Sequence, residues 1–154
     1  MNKELKNLSK QEICEYQQNR DPYLFIDFVT KLIPGKIADG YFNLDKNLWF
    51  FKVHWPKDPN MPGMLQIEAL VQLSALTILS QQGNKGKLVY LINTEKCTFK
   101  KKVVPGKKLE MKTKLISYKR GIGYCEGSSY IDGEQVNSAK FTITFPDDMI
   151  KMPN

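Results

Sequence analysis

Residues 54–72 read HWPKDPNMPGMLQIEALVQ and hold the chain's one histidine, His54, followed by Gly63, Glu68 and Gln72. An imidazole can take up a proton near neutral pH, which makes His54 a candidate base. The helix that begins at residues 62–63 exposes free N–H groups and a partial positive charge, suited to an anion or a polarised carbonyl oxygen. Gly63 has no side chain, so a ligand can approach its amide. Glu68 lies roughly 7.5 Å further along the axis, at about 1.5 Å per residue. Set in an apolar helix it loses water, which favours the protonated carboxyl and suits a general acid. Gln72 follows one turn later on the same face. A base, an acid and an oxyanion donor thus fall in one stretch.

Each residue also has a purely structural reading. A lone histidine can be a hydrogen-bonded support. Glu68 can be neutralised by a lysine or arginine from a neighbouring strand. Met61-Pro62-Gly63 can be turn chemistry at a helix start, and Gln72 can bond to Glu68 or to water. The lysines and arginine at 100–102, 107, 108, 112, 114, 119 and 120 can be the solvated face of strands and turns.

The elements that position these residues follow from patterning. Ser9 and Glu12 fit a capping box that opens a short helix over residues 10–18. Aromatic and β-branched residues predict strands over 23–29, 37–44 and 48–53, which places His54 at a strand-to-loop exit. The run 64–83 is apolar on nearly every side and predicts a long buried helix. Strands follow over 87–100, 107–118, 124–131 and 135–145, separated by Pro105-Gly106, Arg120-Gly121 and Asp132-Gly133, the last two as hairpin turns. This order predicts an α+β fold, a sheet wrapped around one central helix.

Composition narrows the classes. With 154 residues the chain is expected to form one domain, 1–154. Cys14, Cys97 and Cys125 are odd in number and widely spaced, so no disulfide framework or zinc site is indicated and a reducing cytoplasm fits. Residues 1–16 hold no apolar core of signal-peptide length, and the most apolar run is too short and polar for a membrane span, so a soluble, unexported chain is expected. A formal charge of +7 favours an acidic partner. Nucleic acid is disfavoured, because the charge is spread through strands and turns without a recognition module.

The stretch closely resembles the signature of the Z-type β-hydroxyacyl-acyl carrier protein dehydratases: His-Phe-Pro, Pro-x-Met-Pro-Gly, then Ile-Glu-Ala-Leu-x-Gln, with the same fourteen-residue step from histidine to glutamate. The likeness extends to residues 20–27, to Phe99, Lys100 and residues 103–106, and to the two late turns. It implies a hot-dog fold and a homodimer whose sheets join, such dimers often gathering into a hexamer. It also implies that His54 of one subunit faces Glu68 of the other. The implied reaction is dehydration of a 3-hydroxyacyl thioester, carried by the phosphopantetheine of acyl carrier protein, to a trans-2-enoyl thioester. His54 would be base, Gly63 the oxyanion donor, Glu68 the acid and Gln72 its orienting partner, with no metal or redox cofactor required. The basic balance would then serve docking of an acidic carrier. Glutamate rather than aspartate at 68 argues against double-bond isomerisation. Gln18-Asn19 replace the family's Pro-His, outside the inferred chemistry. Nearer the site, Trp55 and Val53 replace a phenylalanine and a glycine, and Lys57-Asp58 with Asn60 alter the adjoining loop, which bears on substrate length and shape. The competing readings are a coenzyme A hydratase or thioesterase of the same fold and a non-catalytic acyl-binding protein.

Overall fold

A computed structural model describes residues 3–149. After β1 (Leu8–Ser9) and α1 (Lys10–Tyr16) come β2 (Phe28–Ile33), β3 (Ile37–Asn43) and α2 (Trp49–Val53). The long helix α3 (Gly63–Leu79) precedes β4 (Tyr90–Phe99), β5 (Lys108–Lys119), β6 (Ile122–Ile131), β7 (Glu134–Thr144) and the short α4 (Pro146–Met149). The strands form one seven-stranded antiparallel sheet in the order β1-β2-β3-β5-β6-β7-β4. The sheet curls around α3, which packs on β3, β5, β6 and β7. This is the α+β arrangement expected from the pattern.

Local chemistry explains most of the boundaries. The Ser9 hydroxyl accepts from the Glu12 N–H and the Glu12 carboxylate accepts from the Ser9 N–H, which completes the capping box at α1. Arg120-Gly121 and Asp132-Gly133 all have positive φ, as two-residue hairpins with a right-handed strand twist require. At Gly121 a Cβ would also come within 2.9 Å of the Phe145 carbonyl, so only glycine fits that turn. From Gln66 to Leu79 every residue of α3 except Glu68 is buried. The carboxylate therefore sits at the one opening in the helix's covering between Gln66 and Leu79.

Two predicted strands are corrected. The segment 48–53 is largely helical, because Asp45 starts a tight turn by accepting from the Asn47 N–H, and Phe50 and Phe51 are both buried. Two consecutive buried rings suit a helix face and not the alternation of a strand. His54 is consequently the C-cap of α2, its N–H donating to the Phe50 carbonyl at 2.8 Å. The segment 23–29 becomes a strand only from Phe28. Leu24, Phe25 and Ile26 are buried as a loop whose backbone is held by a side chain of α3, so their apolar character reports burial and not pairing.

The edge strand β4 differs from the other long strands. Nearly all its residues are exposed, on both faces, including Tyr90, Leu91, Ile92 and Phe99, and among the described residues its only neighbouring strand is β7. No helix of the described residues is long and apolar enough to cross a membrane.

Candidate active site

The start of α3 is uncapped. Pro62 occupies the N-cap position and offers no side-chain hydrogen bond, so the first-turn N–H groups of Gly63 and Met64 have no intrahelical acceptor. The Gly63 side that a Cβ would occupy is taken by the Phe99 ring, 2.9 Å away. The glycine thus serves packing, while its amide belongs to the open helix end. A chain of buried amides fixes this end in place. Asn137 Nδ2 donates to Gln66 Oε1 at 2.8 Å, and Gln66 Nε2 donates to the Met61 carbonyl at 2.9 Å. The Met61 N–H donates in turn to the Val103 carbonyl at 2.7 Å. A concavity of about 390 Å³ opens here, bounded by Asn60, Gly63, Phe99 and the lysines 100–102.

Glu68 is half-buried, and burial pushes its carboxyl above the usual carboxylate range, partly opposed by a hydrogen bond from Gln72. Among the described residues no lysine or arginine forms an ion pair with it, so the salt-bridge reading does not hold. Gln72 is buried and its amide orientation is determined by its partners. Its Oε1 accepts from the Phe25 N–H at 2.9 Å, while its Nε2 donates to the Tyr23 carbonyl at 2.8 Å and to Glu68 Oε1 at 2.9 Å. Oε1 of Glu68 therefore faces a donor. A proton on this carboxyl resides on Oε2, free to be given to a substrate.

His54 is held differently. Its Nδ1 lies 2.9 Å from the Asn60 carbonyl. A carbonyl only accepts, so Nδ1 carries the proton and the neutral ring presents a lone pair at Nε2. The neighbouring Trp55 has φ of 58° and is 64% exposed, its ring centroid 5.7 Å from the imidazole's.

Glu68 and Gln72 share a cavity of about 220 Å³ that continues along Val71, Ala75 and Leu79 beneath Leu88, Val89 and Leu91. His54 lines neither this cavity nor the concavity at Gly63. Within one chain Glu68 and Gln72 are brought together, while His54 stands apart from their cavity. Sequence reasoning missed the Gln66–Asn137 pair. The signal was there, because Asn137 occupies the same inward phase of β7 as Ala139, Phe141 and Ile143. It also missed Gln17, which lines the cavity together with Gln72. Among the described residues no cluster of three or more histidine, cysteine or acidic side chains could hold a metal ion.

Residues 18–140 match the sequence model of the FabA-like domain family. A 3-hydroxyacyl-[acyl-carrier-protein] dehydratase FabZ of Clostridium novyi (strain NT) is 42% identical over 128 residues, covering 83% of this chain and 90% of that protein. The protein of the same name from Bacillus subtilis (strain 168) is 38% identical over 136 residues, 88% of this chain and 96% of its own. Among solved structures, the dehydratase heterocomplex ApeI:P of Xenorhabdus doucetiae contains a chain similar to this one at a TM-score of 0.74 and 14% identity, over 90% of this chain and 95% of the other. At that identity the likeness is one of fold, the hot-dog arrangement of a sheet around a long helix.

Proposed function

This chain belongs to the FabA-like family, and on that premise we propose that it dehydrates 3-hydroxyacyl thioesters on acyl carrier protein, with His54 and Glu68 as its base and acid. The product is a trans-2-enoyl thioester, in fatty-acid or related acyl-chain biosynthesis. The observation that carries the residue assignment is the cavity that begins at a carboxyl raised by burial and runs on as an apolar groove along α3. Such a groove suits an acyl chain, and a protonated carboxyl at its mouth suits the loss of a hydroxyl.

The reaction proceeds at the carbons next to the thioester. His54 Nε2 takes the α-proton, and the negative charge that develops on the thioester oxygen is held by the Gly63 N–H at the uncapped helix start. Glu68 Oε2 gives its proton to the β-hydroxyl, which leaves as water, and the double bond forms between the α and β carbons. Gln72 keeps Oε1 engaged so that Oε2 faces the substrate.

Because His54 stands apart from the Glu68 cavity in one chain, the complete site needs a second copy, whose His54 closes the mouth. The edge strand β4, with exposed Ile92, Leu91 and Phe99, supplies the surface on which two sheets join into a homodimer. The lysines 100–102 border the concavity at Gly63, where the thioester enters; Lys101 and Lys102 pair with Glu134 and Asp58, and Lys100, bonded to the neutral Gln135, offers its positive charge to an acidic carrier.

Purified protein given 3-hydroxyacyl thioesters, on carrier protein and on coenzyme A, is expected to raise the absorbance of a conjugated thioester, faster on the carrier. Release of free thiol instead would make it a thioesterase, and binding without any turnover would make it an acyl-binding protein.

A further inference from the structure

The groove that starts at Glu68 runs along α3 toward a charged pair. Val71, Ala75 and Leu79 continue down one face of the helix, and Glu68 to Leu79 spans about 16 Å at about 1.5 Å per residue. Lys87 lines the same cavity. A chain of hydrogen bonds fixes where its ammonium stands. Lys87 Nζ donates to Asn84 Oδ1 at 2.7 Å, and Asn84 Nδ2 donates to the Ile78 carbonyl at 3.1 Å. Ile78 belongs to the last turn of α3, so the ammonium sits at the end of the helix remote from the acid.

Lys87 is tied at both ends of the residue. Its backbone N–H donates to the Asn84 carbonyl at 3.1 Å, and its ammonium pairs with Asp148 Oδ1 at 2.5 Å, the two side chains being only 17% and 18% exposed. Separating the pair would leave both charges in a place with little water, which is costly. Asp148 is held in turn. Its Oδ2 accepts from the Tyr118 hydroxyl at 2.5 Å, and its N–H donates to the Phe145 carbonyl at 3.0 Å. Burial and this carboxylate push the Tyr118 phenol above its ordinary range, so it stays a donor. The Phe145 N–H donates to the Gly121 carbonyl at 2.7 Å, which ties the start of α4 to the turn between β5 and β6. Asp148 lies beyond residues 18–140, the part that matches the family model, so the fastening comes from this chain's own C-terminal helix. We propose that Lys87, pinned by Asp148, is the stop of the acyl groove and sets the longest acyl chain that the site takes. This rests on the dehydratase reading of the Glu68 cavity and narrows its substrate class to chains whose methyl end falls short of Lys87. Along the apolar stretch each further methylene gains by burial, whereas a chain that reaches Lys87 must part the ion pair or turn out into water. Lys87 thereby determines specificity, and Asp148 and Tyr118 are positioning residues that act through it.

The test uses the whole purified protein and unbranched acyl chains of increasing length on acyl carrier protein: saturated chains for calorimetric Kd, since they cannot react, and 3-hydroxyacyl chains for kcat/KM. Up to the stop, affinity should rise about fourfold per added methylene, the worth of one buried CH2, and then level off or fall. Lys87→Ala removes the wall. The rise should then continue for two further methylenes, and the ratio of kcat/KM for long over short chains should grow by roughly tenfold. Asp148→Asn keeps the size of that side chain and leaves Lys87 present but without its counter-charge, so the break should move the same way by a smaller step; it also decides the question if Lys87→Ala does not fold. A parent with no break, a break at the same length in the folded variants, or a loss shared equally by chains of every length would overturn the proposal. If no chain is dehydrated the dehydratase reading fails, while the break in Kd against chain length stands or falls by itself.

Discussion

His54 and Glu68, the proposed base and acid, are held in opposite ways. Glu68 projects from a helix buried on both sides of it and is tied through Gln72 to the backbone of residues 23 and 25. His54 caps a five-residue helix near the surface, and its ring is oriented by one bond to a loop carbonyl. Glu68 is built into the core of its own chain, whereas His54 is offered outward at a helix end flanked by the exposed Val53 and Trp55. That difference is what a site shared between two copies requires, since one group must reach across while the other waits in the groove.

The largest expected effect tests that sharing directly. His54→Ala and Glu68→Ala should each lower dehydration by about 10²- to 10⁴-fold, the usual worth of a positioned acid or base. Dimers that mix the two variants should regain activity well above either parent, because one of their two sites has both groups intact. A mixture no more active than its parents would place the base and acid in the same chain.

Gln72 sharpens the contrast next, because it belongs to the anchored side alone. Gln72→Leu leaves the Phe25 N–H and the Tyr23 carbonyl unpaired in a buried loop, at a cost of about 1–3 kcal/mol for each such group, read as a lower Tm. It also removes the donor that holds Glu68 down. Glu68 works as an acid only while protonated, so activity falls as pH rises through its pKa. Loss of the donor lifts that pKa further, and the alkaline limb of kcat should move to higher pH.

This network marks where legibility in the sequence ended. The capping box, the two hairpins and the long helix are decided by residues a few positions apart, and each stands where local chemistry placed it. The runs at 23–29 and 48–53 misled because aromatic residues suit a buried loop or a helix face as well as a strand. Gln72 reaches the backbone of residues 47 and 49 positions earlier, and no local pattern announces such a bond. The sequence does show that Glu68 is an anomaly in its helix. It cannot show that Glu68 is the one uncovered residue between Gln66 and Leu79, which depends on how the sheet wraps.

A smaller effect separates chemistry from stability at the acid. Burial raises the folded-state pKa of Glu68 above its unfolded value. The favourable state is then fully present below the ordinary carboxylate range and is lost as pH rises through the raised folded pKa. Glu68→Gln, neutral throughout, should therefore raise Tm at neutral pH and lose that advantage in acid, even as it abolishes activity. Calorimetric scans across pH check the sign, and a variant destabilised at pH 7 would contradict it.

The smallest effect belongs to the outward side. Trp55 holds φ at 58° while most of its indole lies in solvent, so it bears a left-handed backbone of about 1–2 kcal/mol with little burial in its own chain to offset it. Trp55→Gly relieves that strain but adds freedom to the unfolded chain, about 0.5–1 kcal/mol in the other direction. The net change in Tm should be slightly positive. If the indole lies against the groove of a second copy, the same variant should lose activity on long chains while gaining stability, since strain kept at an exposed aromatic is then maintained by function. Unchanged activity and selectivity with the same gain in Tm would leave Trp55 outside the site and confine the reach across the dimer to His54.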